Sequence, residues 1–474
     1  MHSSGKKLIL QTDSIPSRYI DRSIVSCLTD RILKQELSSF IEDLTVADLS
    51  YHGEPMLYSF VPIIFTSIAK ELFTEIAATT CTICEKIMHH FQSSVEYREL
   101  WRLDQLSKDL ALLPKQYSAP IPIMRDDIFF DPQTGNYKFC EINTDGSSAM
   151  NEDRCCAQLV SESVTWAHSL RDRCAQSQEL FEPFVDDVID IFHKWAQGKA
   201  LSSAPQIAIV DYSEEASIKE FYEFQKRFNN RGVFCQVADI NELCFKQGSL
   251  FIGDKRINVI YRRAITGSII KDLRFNGIDR LSKIDGSDCN GVAALVSAAA
   301  FDAAIVIGGF QDLLVHNKQI FEVMWSEETW AFLNDKEIEF VQAHIPKTYD
   351  FIQENKKLDS IDFVNTKNRW ILKPKYGSST IGVFAGLDCS DRESWIDICN
   401  KCLKHGDYII QEYCDQFSEL NIIPQDGSKL LSEHTYVIGL FCYCGKYAGT
   451  YVRAGKGAVI GSIRGSAVVA SFHM

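Results

Sequence analysis

"YKFCEINTDGSS", Tyr137 to Ser148, is the stretch on which both the fold and the chemistry turn. Its first seven residues read as a strand, and the Thr-Asp-Gly-Ser-Ser tail ends it in a turn. Residues two apart on a strand share a face and lie about 6.5 to 7 Å apart. Glu141 and Asn143 therefore project together, with Tyr137 and Phe139 behind them. Cys140 and Ile142 face the other way, which assigns Cys140 to the core rather than to a nucleophile's position.

Immediately upstream, "IPIMRDDIFF" (Ile121 to Phe130) is strand-like again, and "DPQTGN" (Asp131 to Asn136) supplies a Pro/Gly loop. Together they predict a β-hairpin. Arg125 and Asp127 share a face of its first strand as Glu141 and Asn143 do on the second. If the two faces coincide, an arginine, two carboxylates and an amide oxygen converge. Hard oxygen donors of this kind suit Mg²⁺, which keeps octahedral geometry and bridges to phosphates. A solvated hairpin edge with a salt bridge from Arg125 to an acid fits the same spacing, so the hairpin alone leaves both readings open.

Further from this centre, the 474-residue chain is 46% hydrophobic and 24% charged, enough for two or three packed units. A net charge of -14 with no basic block argues against a nucleic-acid partner, while local Lys/Arg groups can still hold anions. Sixteen cysteines in so long a chain, with only Leu8-Ile9-Leu10 apolar after Lys6 and Lys7, read as reduced thiols of a cytoplasmic protein. Gly291 to Phe310 is the most membrane-like run, but Asp302 and the Gly-Gly near its end divide it into a helix and the strand "AAIVIG".

Residues 1–120 read as a mainly helical region, with helices expected from 30 to 115 and most clearly in "IIFTSIAKELFTEIAATTCTICEKIMHHF" (Ile63 to Phe91). Cys81, Cys84, His89 and His90 invite a zinc reading, yet all lie on one helical stretch and nothing nearby completes a tetrahedral set. Residues 121–204 hold the hairpin and then helices, including "LFEPFVDDVIDIFHKWAQG". From 205 to 311 strands "QIAIVD", "VFCQVAD" and "INVIYRR" with the helix "EEASIKEFYEFQKRFNNRG" predict a parallel sheet, a Rossmann-like unit. Residues 312–474 form an α+β region with a helix "NKQIFEVMWSEETWAFL" and strands "RWILKPK", "YIIQEYC", "TYVIGLFCYC", "KYAGTYVRA" and "GSAVVASF". No internal repeat is present.

Four further features fall in this last region. Lys373 precedes the loop Gly377-Ser378-Ser379-Thr380, whose backbone N–H groups suit phosphate oxygens. Lys318 opens a helix, where exposure to solvent is the simpler reading. Gln411, Glu412 and Tyr413 end a strand whose backbone can meet an adenine edge. Arg453 on a late strand is a charge partner for a transferring phosphoryl group.

The order of these features, with Lys318, Lys373 and its glycine loop, Gln411-Glu412 and then Arg453, resembles the ATP-grasp layout. With the Glu-x-Asn pair of Glu141 and Asn143 placed far upstream, the arrangement "RDD", "CEIN", small α/β unit, "NKQIF", "LKPKYG" resembles the synthetase domain of the glutathionylspermidine synthetase family, from about Ile121 onward. The resemblance implies an ATP-grasp fold with permuted motif order. It implies ATP and two Mg²⁺ ions, with Asp127, Glu141 and Asn143 as metal ligands and Arg125 and Arg453 as catalytic arginines. Lys318, Lys373, Gly377, Ser378, Gln411, Glu412, Tyr413, Val459 and Ile460 would bind nucleotide, and Ser147 and Ser148 would meet the carboxylate substrate. The loop Thr144 to Ser148 departs from the family, and its polyamine-binding acids have no counterpart here.

The implied reaction is ATP-dependent ligation of a carboxylate to an amine through an acyl phosphate, the glycine loop closing over the phosphates. A small-molecule or peptide acid and an amine are the expected partners, with no nucleic acid or membrane. A degenerate ATP-grasp binding protein and an ATP-dependent kinase are the alternatives. Arg262 and Arg263 offer carboxylate recognition, although one surface arginine and one structural salt bridge is the simpler reading.

Overall fold

In the computed structural model the predicted hairpin is the edge of a seven-stranded sheet. The structure describes residues 17–23, 37, 39–43, 50–51, 54–199, 204–377, 380–424, 431–461 and 464–474. Met124–Phe130 and Tyr137–Asn143 pair antiparallel, with Arg125 opposite Asn143 and Asp127 opposite Glu141. A bulge between Asp127 and Ile128 shifts the register, so that Phe139 rather than Cys140 faces Ile128. Bulges insert one unpaired residue and re-aim the side chains around it.

Ser432–Tyr443 lies against the hairpin's inner strand, and Lys446–Gly455 pairs with it in turn. Ala467–Val469 and then Leu57–Tyr58 extend the sheet, while Ser418–Asn421 pairs the far end of Ser432–Tyr443. Aromatic and β-branched residues fill these strands, as half-buried pleated surfaces favour. Gly439 stands opposite Asp127 because nothing larger fits. A Cβ there would meet Arg125 Cδ at 2.8 Å and Asp127 Oδ1 at 2.9 Å.

The Ser67–Ser93 helix buries Phe73, Ile76, Ile83, Cys84 and Ile87 in a core it shares with this sheet. Each large aliphatic side chain so removed from water contributes about 1.5–3 kcal/mol. Cys81 and Cys84 point into that core, and His90 stacks on Phe332 with ring centroids 3.6 Å apart. Short strands flank this helix on its amino-terminal side: Leu57–Tyr58 and Ile63–Phe65 pair in parallel with Ala467–Val469 and Ser471–His473. Two- and three-residue strands carry too little alternation to be read from sequence, so the helical reading of this region passed over them.

A parallel sheet of Ile305–Ile307, Val259–Arg262, Gln206–Asp211 and Phe234–Asp239 follows the predicted α/β order, with the Ile218–Asn230 helix between its strands. Gly291–Ala300 is a helix leading into Ile305–Ile307, and among the described residues no helix is long and apolar enough to cross a membrane. A third sheet, antiparallel, orders Thr348–Asp350, Tyr408–Glu412, Trp370–Pro374 and Phe384–Ala385. The predicted helix over 317–333 is interrupted instead: Ile320–Met324 and Glu327–Trp330 are separate, because the Ser326 hydroxyl caps the second by accepting from Thr329 N–H.

Candidate active site

Two sheets supply the site. From the seven-stranded sheet, Asp127 accepts hydrogen bonds from Arg125 at both carboxylate oxygens, Nε to Oδ1 at 2.7 Å and Nη2 to Oδ2 at 3.1 Å. Arg453, two strands away, donates a further bond to Asp127 Oδ2. Beside them Asn143 Nδ2 donates to Glu141 Oε1 at 3.4 Å, and Arg125 Nη1 reaches the Ser148 carbonyl at 2.8 Å. The hairpin does present one arginine, two acids and an amide to a common face.

From the third sheet, Lys373 is buried and donates to the Cys140 carbonyl at 2.9 Å and to Gln411 Oε1 at 2.8 Å. Lys318 is buried too, which corrects the expectation of a solvent-exposed lysine. It lies between the Leu313–His316 and Ile320–Met324 helices, and its ammonium donates to Gly377 O at 3.0 Å and pairs with Glu141 Oε2 at 3.5 Å. Burial pushes the Glu141 carboxyl up, but Lys318, then Arg453, Lys373 and Arg125, outweigh it and hold the group well below the usual carboxylate range.

These side chains line two cavities that meet at Glu141 and Arg453. The first is walled by Lys318, Lys373, Gly377, Gln411 to Cys414 and Ala458 to Ile460. Ser378 lies outside the described residues. Cys140 also lines this cavity: as the extra residue of the bulge it turns inward with Phe139, contrary to the simple alternation expected of it. Burial raises its thiol, which leaves it a poor nucleophile. The N–H of Glu412 donates to Lys347 O and that of Tyr413 to Arg369 O, so neither is free for a purine.

The second cavity, about 380 Å³, is a ligand-sized space. Arg125, Asn143, Ser147, Ser148, Glu152, Asp211, Arg263 and Tyr451 are among the residues that line it. Its frame is a set of buried ion pairs. Arg262 and Asp145 pair at 2.6 Å with side chains 0% and 3% exposed, and Asp145 Oδ2 also accepts from Thr266 N–H at 2.7 Å. Arg262 further donates to the carbonyls of Gly308, Ala264 and Gly309. Arg263 pairs with Glu220 at 2.7 Å, and the other Glu220 oxygen accepts from the N–H groups of Ala149, Met150 and Asn151. Both arginines are thus structural, and neither stands on the surface.

Asp145, Glu152, Glu220 and Tyr451 were not singled out in the sequence. Asp145 and Glu152 lay within four and eleven positions of Glu141, but only folding shows which acids acquire partners. Glu141, Asn143 and Asp127 offer the hard oxygens that Mg²⁺ takes, and Mg²⁺ needs only one or two protein carboxylates besides phosphate and water. The donor set fits at Glu141 and Asn143, while the Asp127 oxygens are engaged by guanidinium groups. Among the described residues no group of three His, Cys, Asp or Glu side chains is arranged to hold a metal by itself.

No protein-family model and no curated protein matches the sequence. Among solved structures, the chain is similar to a glutathione synthetase-like effector from Globodera pallida in its apo form, with 16% identity and a TM-score of 0.57 over 95% of this chain and 99% of that one. That likeness shows a shared fold. A putative gamma-glutamylcysteine synthetase from Methylobacillus flagellatus aligns at 10% identity with a TM-score of 0.38 over 81% of this chain and 82% of that chain, too loosely to argue from.

Proposed function

We propose that the chain is an ATP-dependent carboxylate-amine ligase on an ATP-grasp fold with permuted motif order, forming an amide through an acyl phosphate. One observation supports it above the others: two buried ammonium groups, Lys373 from the third sheet and Lys318 from the segment between two helices, and the Arg-x-Asp/Glu-x-Asn set from the seven-stranded sheet converge on adjoining cavities that share Glu141 and Arg453. In this reading residues 121–204 and 312–474 make the nucleotide-binding core. Residues 205–311 form a substrate unit, and 1–120 a helical region whose short strands extend the central sheet.

ATP would occupy the first cavity. Lys318 and Lys373 would hold its phosphates as point charges, with Gly377 beside Lys318 and Ser378 assigned to the same task from its place in the sequence. Gln411, Glu412, Tyr413, Val459 and Ile460 surround the base, which meets the Gln411-Tyr413 segment through its carbonyls rather than its N–H groups. Glu141 and Asn143 fit Mg²⁺ as they stand, Asp127 would join them once a guanidinium releases one of its oxygens, and the two ions when bound would neutralise charge on the phosphate oxygens. Arg125 and Arg453 face the transferring phosphoryl group; Arg453 Nε is buried without a hydrogen-bond partner among the described residues, a donor open to an oxyanion. The acid would sit in the second cavity near Ser147 and Ser148, its carboxylate attacking the γ-phosphorus in line. Positioning and charge then supply most of the acceleration.

Glu141→Ala or Asn143→Ala is expected to abolish ADP release with the fold intact by circular dichroism. Full turnover in either variant would remove the metal assignment. Hydroxylamine trapping of an acyl phosphate distinguishes a ligase from a kinase acting on an alcohol. One observation favours a second reading, a binding protein that keeps the shape without turnover: Arg125 and Arg453 already satisfy both Asp127 oxygens. Titration with Mg-ATP followed by a phosphate-release screen over amino acids, small thiol peptides and polyamines separates the two.

A further inference from the structure

Amide formation from an ammonium ion requires a base, because R–NH₃⁺ has no lone pair to attack with. None of the charged residues placed at the phosphoryl group or the metal can serve. Arg125, Arg453, Lys318 and Lys373 are cations, and the oxygens of Asp127 carry guanidinium hydrogen bonds. Glu141, surrounded by cations, has too little proton affinity.

We propose that Glu152 takes the proton: its carboxylate, on a residue that lines the second cavity together with Arg125, Glu141 and Arg453, receives the ammonium of the incoming amine and acts as general base. This rests on the ligase reading above. Glu152 is 8% exposed, lines that cavity, and its Oε2 has no hydrogen-bond partner among the described residues. A buried carboxylate oxygen without a donor is destabilising. An ammonium placed in the cavity would remove that cost.

Glu152 lies in the first turn of the Met150–Glu162 helix, where an acid ordinarily serves the free N–H groups. Here Glu220 takes the N–H groups of Ala149, Met150 and Asn151 from outside, leaving Glu152 only its own backbone N–H. Burial, then Glu220, push its carboxyl up to about 7, against the pull of its own backbone N–H, Arg263 and Arg125. Asp153, Cys155, Tyr58 and Tyr451 also face it. A proton affinity near neutrality suits a base at neutral pH. Asp211, on the same cavity, already accepts from Tyr212 N–H and is the weaker candidate.

The step balances. R–NH₃⁺ gives one proton to the Glu152 carboxylate, and the freed lone pair attacks the acyl carbon. The bond from the acyl carbon to the bridging phosphate oxygen breaks, a second N–H proton leaves with the phosphate, and amide and hydrogen phosphate result. Glu152 returns its proton to water.

The test uses full-length Glu152→Gln with Mg-ATP and a pool of the proteinogenic amino acids plus glutathione as acids. Nucleophiles are hydroxylamine, neutral at pH 7, or a pool of methylamine, glycine, putrescine and spermidine, all ammonium there. ADP release with hydroxylamine should stay within about twofold of wild type, while release with the amine pool falls about 100-fold or more. The deficit should narrow toward pH 10 as free amine accumulates. An unchanged amine rate overturns the proposal, as does equal loss with both nucleophiles, which would mark a structural role. Wild type turning over hydroxylamine but no pooled amine also overturns it, leaving acyl phosphate formation standing. Wild type silent even with hydroxylamine defeats the ligase reading itself.

Discussion

Replacing Arg262 by methionine tests the frame on which the second cavity is built. Arg262 is 1% exposed and its guanidinium meets Asp145 at 2.6 Å, along with three backbone carbonyls. Methionine fills much of the volume but leaves the Asp145 carboxylate buried with only the Thr266 N–H and the fields of more distant groups to balance it. Breaking a buried pair from one side typically costs about 3–5 kcal/mol, far more than the pair contributes relative to an apolar substitute. Urea unfolding followed by tryptophan fluorescence should show a loss in that range. Asp145→Asn should cost a similar amount, and the double variant distinctly less than the two losses together, because the charges that suffer in each single variant are both gone. A loss below about 1 kcal/mol for Arg262→Met, or strict additivity in the double variant, would refute the claim that this pair pins the loop after Asn143.

Gly439→Ala should disturb the Arg125–Asp127 pair directly, since a Cβ there lies within 3 Å of both side chains. ADP release is expected to fall at least tenfold while secondary structure by circular dichroism is retained. Asp312 is buried, and burial raises its carboxyl to about 7. The unfolded chain therefore gives up this proton first, so the stability tied to it is complete below about pH 4 and is lost as pH rises toward 7. Three units correspond to on the order of 4 kcal/mol, and Asp312→Asn should flatten that part of the pH–stability curve measured by urea titration. Lys373→Ala, removing an ammonium that donates to Cys140 O and Gln411 Oε1, should weaken Mg-ATP binding by about 10- to 100-fold in calorimetric titration. An unchanged affinity would count against its assignment to the phosphates.

Much of this arrangement was legible in the residues alone. The hairpin from Ile121 to Asn143, the α/β order from Gln206 to Ile307 and the late strands all followed from periodicity and turn chemistry, which are local signals. So did the shared face of Arg125, Asp127, Glu141 and Asn143, because strand geometry has a fixed period. What escaped was set by distant partners. Lys318 looked exposed because nothing local shows that Glu141 and Gly377 would receive its ammonium. Cys140 was assigned to the wrong side because a single bulge shifts the alternation, and Glu220 is meaningful only once the Met150–Glu162 helix arrives at its oxygens.

The central sheet also constrains how the protein is made. Asp127 lies opposite Gly439, about 300 positions further on, so the inner strand of the hairpin has no second neighbour until that later segment has left the ribosome. At about 5–20 residues per second this is an interval of roughly 15 to 60 s. During it the inner strand, which carries Asp127, lacks the partner it has in the finished sheet. Charged side chains on a strand are one of the devices by which an unpaired edge avoids recruiting neighbours, and Arg125, Asp126 and Asp127 stand on this one.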